Sequence, residues 1–292
     1  MQSFNFYSPE QEIQRSAYAD AQISVHIKRD DLIHPFISGN KWRKLKYNLQ
    51  EATAQNKSHL ITFGGAWSNH ILATAAAAAT FKFKSTAFIR GEEVSNPILS
   101  LCRTYGMELI FVSRTDYQDK KALYERVADT SSYFIDEGGY GALGAQGCAE
   151  IMDELTNTYD YIFTAAGTGT TVAGLVSAVV KNKLPTQIHA VPVLKGGEFI
   201  ATEVGKIVNP PFPLHLHLDY HFGGYAKTKP ELIHFIKDFV SDTGILIEPT
   251  YTGKLCFAVE DLIRRNYFPE NSKILLLHTG GLTGFIGMHE RF

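Results

Sequence analysis

The chain has 292 residues, 45% of them hydrophobic and 20% charged, with a formal net charge of −2. That length holds two ordinary domains or one large one. The composition excludes a disordered chain, and the charge balance excludes a global pull toward nucleic acid or an anionic membrane. Cys102, Cys148 and Cys256 stand far apart with no CxxC pair, so they read as buried thiols in a reducing compartment, not as a disulfide framework. No apolar run reaches the ~20 residues of a membrane span. The N-terminal MQSFNFYSPE has no basic segment leading into an apolar one, so no signal peptide is read and a cytoplasmic protein is expected.

In chain order, Lys28-Arg29-Asp30-Asp31 reads as a strand end with ion pairs. SGNKWRKLKY (38–47) follows, crowding Lys41, Arg43, Lys44 and Lys46 behind a turn signal. Asn40 can cap a helix beginning at Lys41, which sets that lysine against the positive end of the helix dipole. That position, together with burial, would lower its pKa, as a nucleophilic or Schiff-base lysine requires. Arg43, Lys44 and Lys46 read as solvated helix-face charge.

HLITFGG (59–65) is a buried strand ending in Gly-Gly, and ILATAAAAATFK (71–82) a helix of the best helix former. Ser68 or Asn69 can cap that helix. Strands are expected at 85–91, 107–113, 159–167, 187–194 and 273–281, with a further one leading into Pro249. Helices are expected at 96–106, 142–155, 171–180, 231–244 and 255–265. Strands alternating with helices imply parallel α/β sheets, whose ligands bind outside the carboxyl ends of the strands. The division falls at about residues 50 and 155: a unit of 50–155, and a second of 1–49 plus 156–292.

YIFTAAGTGTTVAGL (161–175) runs from strand through Gly167-Thr168-Gly169-Thr170-Thr171 into a helix. Glycines admit an anion to the backbone, and the helix start offers free N–H groups, so the loop suits a phosphate. It is neither a Walker A loop nor a GxGxxG fingerprint. A nucleotide-binding dehydrogenase would also want an acid at the end of the next strand. QIHAVPVL instead runs into Leu194-Lys195, with no acid before Glu198. His215, His217 and His221 read as a polar strand face, not a metal site, and the two tryptophans make no stacking platform for nucleic acid.

Together and in this order, SGNKWRKLKY, GGAWSNH, AAGTGTTVAGL, EPTYTGK and HTGG resemble the 1-aminocyclopropane-1-carboxylate deaminase/D-cysteine desulfhydrase family. That family is a pyridoxal-phosphate-dependent branch of the tryptophan-synthase-β-like enzymes. The resemblance implies an α/β protein of two open, twisted, mostly parallel sheets with helices on both faces, and an active site between its two units. It implies pyridoxal 5'-phosphate as cofactor, no metal, a small amino acid as substrate and often a homodimer.

By the same resemblance, Lys41 matches the lysine that carries the cofactor, and Asn69 the asparagine near its phenolic oxygen. Ser68 and His70 match the stretch that, with Asn69, meets the substrate. Gly167, Thr168, Gly169, Thr170 and Thr171 match the phosphate loop. Tyr251 matches the second active-site tyrosine. Tyr225 looks like the first, although it sits in Gly-Tyr-Ala where the family tends to have Gly-Tyr-Gly. Thr279 is implied near the pyridine ring. Thr252 stands where the deaminases carry an acid beside the pyridine nitrogen. A threonine there makes a weaker electron sink, which argues for β-elimination and against cyclopropane opening. A non-catalytic amino-acid-binding protein of the same fold is the remaining alternative, and the retained Lys41 weighs against it.

Overall fold

Apolar runs become strands covered on both faces, and these sort into two sheets. The computed structural model describes residues 6–292; the start of MQSFNFYSPE, residues 1–5, lies outside the described residues. The strands are β1 (Glu10–Glu12), β2 (Ser24–Lys28), β3 (His59–Gly65), β4 (Lys84–Arg90), β5 (Glu108–Val112), β6 (Ser132–Ile135), β7 (Tyr161–Ala166), β8 (Gln187–Pro192), β9 (His215–Leu216) and β10 (Lys273–Leu277). One sheet has the order β1-β2-β10-β7-β8-β9 and the other β5-β4-β3-β6. Every pairing is parallel except that of β1 with β2.

The two faces of each sheet feed different cores, because successive side chains of a strand point to opposite sides. In β10, Ile274 and Leu276 pack with Phe163 and Val191 on one face, while Leu275 and Leu277 pack with Ile162 and Ile188 on the other. In the smaller sheet Leu60 and Ile135 join the core under Trp42 and Leu45, whereas Ile61 and Phe63 join Phe88 and Tyr117. Burial on both faces is the mark of parallel sheets, and the expected fold class holds.

Three helices place the site. Asn40–Ala54, Ala142–Asp153 and Thr170–Asn182 pack side by side. Gly147 and Gly174 let them approach at backbone distance. A Cβ at Gly147 would lie 1.9 Å from Arg43 O, and one at Gly174 2.4 Å from Ala145 O. The lysine-rich helix is thereby pressed toward the Gly167–Thr171 loop.

Several elements depart from expectation. The chain before Pro249 forms no strand; Leu246 O there accepts a bond from His278 Nε2 (2.8 Å). β1, β6 and the helix Phe199–Ile207 appear without having been expected from the sequence, while β9 is a short part of the strand read at His215 to His221. The histidines 215 and 217, on and beside this strand, join an imidazole stack. His189 stacks on His215 at 4.4 Å and shares a 2.9 Å bond with His217, which lies against Phe163. The three cysteines are free and buried. Among the described residues no helix is long and apolar enough to cross a membrane.

This stack predicts acid lability. Burial, then the neighbouring imidazoles, pushes His189 down to about 3 and His217 to about 4. The native state therefore favours neutral rings. Their contribution is complete above the unfolded value of ~6.5 and is lost as pH falls from there toward 4. Urea midpoints should drop across that window, and a His217→Phe variant should lose less stability over it than the parent.

Candidate active site

A cleft of about 1200 Å³ opens where the carboxyl ends of both sheets face each other. Its walls come from the loops after β3, β4, β5, β6 and β7, from the start of the helix Asn40–Ala54, and from Tyr225 and Tyr251. The cleft gathers Lys41, Ser68, Asn69, His70, Gly167, Thr168, Gly169, Thr171, Tyr225 and Tyr251 from positions up to 210 apart in sequence. Thr170, Thr252 and Thr279 are not on its wall.

Each wall element has a local cause. Gly39, not Asn40, is the N-cap of the lysine helix, and it sits at φ +61. A Cβ there would strike Thr279 O at 1.8 Å, so only glycine admits this contact. The expected cap Asn40 is instead the first helical residue; its N–H donates to Thr279 O (3.3 Å) and its Nδ2 to Thr171 Oγ1 (3.1 Å). SGNK, HTGG and the Gly-Thr loop thus meet directly. Thr279 serves through its carbonyl, at the back of the turn that presents Lys41.

Lys41 is held below the usual lysine range, first by burial and then by the charge of Lys44. Lys44, one turn on, is only 4% exposed and lines the same cleft. No group among the described residues accepts a hydrogen bond or ion pair from its ammonium, and burial lowers it too. A buried ammonium without an acceptor is costly unless an anion completes it. The reading of Lys44 as solvated charge is therefore corrected, as is that of Arg43, which is 1% exposed and faces Asp30 and Glu154. Lys46 is half-buried on Glu150. Spacing could have found Lys44, because residues i and i+3 share a helix face.

Across the cleft, the helix Thr170–Asn182 begins behind Gly169 at φ +82. Ala173 N–H is bonded to Gly169 O (2.9 Å), so the amides of Thr170, Thr171 and Val172 precede the helical ladder and point toward an incoming anion. Thr170 itself is buried, its hydroxyl shared with Thr168 (3.2 Å). Ser68 is the N-cap of the alanine-rich helix Asn69–Phe81, accepting from Ile71 N (3.4 Å). Asn69 accepts from Thr283 (3.2 Å). His70 is buried with Nε2 on Thr62 (2.8 Å) and Nδ1 unpartnered, and burial followed by Lys41 and Lys44 keeps it neutral.

Glu248 organises the Tyr251 turn. Its buried carboxylate accepts from the N–H groups of Thr250 (2.7 Å), Tyr251 (2.6 Å) and Thr252 (2.8 Å). Thr252 closes the motif by accepting from Glu248 N (2.9 Å). Thr252, the threonine expected beside a cofactor ring, is thus buried at the first position of the helix Thr252–Arg264 and off the cleft wall. Tyr251 leans over the glycine loop, its hydroxyl 3.5 Å from where a Gly167 Cβ would be, and meets Tyr225 edge-on at 6.0 Å between ring centroids.

The residues fit a phosphorylated aldehyde cofactor: an amine poised to react, free amides at a helix start, and an uncompensated buried ammonium on one cleft. Residues 7–280 match the model of the family described as pyridoxal-phosphate dependent enzymes. The chain belongs to that family. Relatives of this pyridoxal-phosphate-dependent chain include a 1-aminocyclopropane-1-carboxylate deaminase of Rhizobium rhizogenes, 29% identical over 95% of this chain and 92% of that protein. A bifunctional D-cysteine desulfhydrase/1-aminocyclopropane-1-carboxylate deaminase of Arabidopsis thaliana is 29% identical over 88% of this chain and 72% of that protein. A crystal structure of an ACC deaminase homologue superposes with a TM-score of 0.84 at 28% identity, covering 98% of this chain and 93% of that one.

Proposed function

We propose that this enzyme catalyses β-elimination from a small amino acid carrying a leaving group on Cβ, D-cysteine or a close relative. The balance is cysteine plus water giving hydrogen sulfide, pyruvate and ammonium, with no external oxidant or reductant. One observation carries the reading: Lys41, whose amine burial and Lys44 hold well below the usual lysine range, shares its cleft with a helix start and with Lys44, which together suit a phosphate. In support of elimination over cyclopropane opening, the residue after Tyr251 is Thr252, so this position offers no carboxylate. The cleft is proposed to lie between a unit of 50–155 and one of 1–49 plus 156–292, in a cytoplasmic homodimer.

Bound pyridoxal phosphate supplies an electron sink for charge developing at Cα. Lys41 would be its attachment point and the base for the α-proton, a role its lowered pKa favours. Tyr251 is a poor base: burial first, then Tyr225, holds its phenol well above the ordinary value. It therefore stays protonated and donates a hydrogen bond. The amides of Thr170 to Val172 and the Lys44 ammonium hold the phosphate. The helix start at Ser68, Asn69 and His70 receives the substrate carboxylate. Tyr225, at the cleft mouth, completes the wall around the departing group.

The test is an assay of the reconstituted enzyme over D- and L-amino acids together with 1-aminocyclopropane-1-carboxylate. Pyruvate from D-cysteine should exceed the four-carbon oxo acid from the cyclopropane substrate by tenfold or more in kcat/KM. The reverse order would make the deaminase reading the correct one, and tight binding with no product would favour a binding protein.

A further inference from the structure

A third buried lysine has no place in the chemistry above. Lys254 is fully buried in the helix Thr252–Arg264, three residues after Tyr251, and it does not line the cleft. Its ammonium has no carboxylate partner among the described residues. It donates instead to three backbone carbonyls: His221 (2.8 Å), Gly224 (2.8 Å) and Val193 (3.2 Å). Val193 follows β8, and its neighbour Leu194 is on the cleft wall. His221 and Gly224 belong to the loop that carries Tyr225.

That loop does not hold itself. Phe222 (φ +52), Gly223 (+99), Gly224 (+122) and Ala226 (+54) all lie in the left-handed region, which is unfavourable for the two residues with side chains. Within it, only Gly224 N–H to His221 O, Lys227 N–H to Gly224 O and Gly223 N–H to the His221 ring tie the backbone together. Two of those acceptors are the carbonyls that Lys254 also binds. A sequence of positive-φ residues persists only where the surroundings over-determine it, and here the ammonium holds the backbone from inside the protein while the buried Phe222 ring packs on Phe257 (4.9 Å between centroids). Arg291 reaches Ala226 O and Thr228 only from the exposed side.

We propose that Lys254 is the positioning residue for Tyr225: anchored on Val193 O, its ammonium gathers the carbonyls of His221 and Gly224 and so presents the Tyr225 ring to Tyr251 across the cleft. The same helix thus carries both halves of the tyrosine pair, Tyr251 at its cap and Tyr225 through a lysine one turn later. A neutral side chain of equal length leaves three carbonyls converging on an apolar group, and the loop then relaxes toward ordinary φ values. This rests on the reading of Tyr225 as a residue that serves the bound amino acid.

The experiment pairs hydrogen exchange with a double-mutant comparison. In Lys254→Met the amides of residues 222–228 should exchange at least tenfold faster than in the parent, while those of β3 and β4 stay unchanged. Turnover should fall mainly in kcat, and Lys254→Gln, which keeps a donor, should recover part of it. On a Tyr225→Ala background, which removes the ring, the further loss from Lys254→Met should shrink to less than twofold. Unchanged exchange of the loop, or an equal loss of kcat in both backgrounds, overturns the proposal. If the methionine variant does not fold, the glutamine variant carries the same comparisons. Failure of the proposed function reads differently: the parent enzyme itself releases no pyruvate, and the exchange comparison then decides alone.

Discussion

Lys41→Ala abolishes the absorbance band of the lysine-linked cofactor and lowers turnover by about 10³-fold or more. Two features make the effect large. Lys41 is held below the ordinary lysine range by burial and by Lys44, so it is the amine of the cleft most ready to react as a neutral base and nucleophile. Lys44 cannot replace it. Gly139 packs against its stem, where a Cβ would lie 2.9 Å from Lys44 Cβ, and its ammonium is the one suited to an anion. The alanine variant should still bind pyridoxal phosphate, because the amides of Thr170 to Val172 and Lys44 remain. Spectroscopic titration and a pyruvate assay check the two halves separately. A variant that kept the absorbance band would move the attachment point to another lysine.

Arg43→Ala lowers the unfolding free energy by about 3–5 kcal/mol, and the melting temperature by roughly 10 °C. Arg43 Nε and Nη2 bind the two oxygens of Asp30 (2.6 Å each), and Nη1 and Nη2 bind Glu154 (2.8 and 2.9 Å). Lys28 adds a further pair to Glu154 (3.2 Å). Removing the arginine leaves the buried Asp30 carboxylate without its cation and Glu154 with Lys28 alone, and that desolvation sets the scale of the loss. Asp30 O also accepts from Gly39 N–H (3.0 Å), so the same pair fixes the turn that aims Lys41. Thermal melts should show the drop, and the surviving folded enzyme should bind cofactor more weakly than the parent. The neighbouring Lys46→Ala should change the melting temperature little, since its pair with Glu150 is half exposed.

These two residues, two positions apart in SGNKWRKLKY, mark where reading the sequence succeeds and where it stops. The strands at 59–65 and 187–192 and the alanine helix were legible because a parallel sheet buries both faces and leaves continuous apolar runs. β1 was not, because the three polar residues Glu10–Glu12 carry no apolar period and form a strand by pairing with β2. The run before Pro249 failed in the opposite sense: it has the composition of a strand but no neighbour to pair with. Thr252 was legible as a position, whereas the bond its hydroxyl accepts from the backbone of Glu248 is visible only in the structure.

By itself the sequence determined the order of the α/β elements, the glycines that admit an anion and tight turns, and the set of motifs that marks a pyridoxal-phosphate-dependent enzyme. All of these are local: hydrophobic period, backbone freedom at glycine and capping preference act over a few residues. Only the tertiary structure decided what each lysine is for. Lys41 and Lys44 face the cleft, Arg43 is locked in a buried ion pair, Lys46 half reaches solvent, and Lys254 grips three carbonyls. The charge is the same in every case. What differs is the desolvation and the partner each side chain meets, and both are supplied by chain segments far away in sequence.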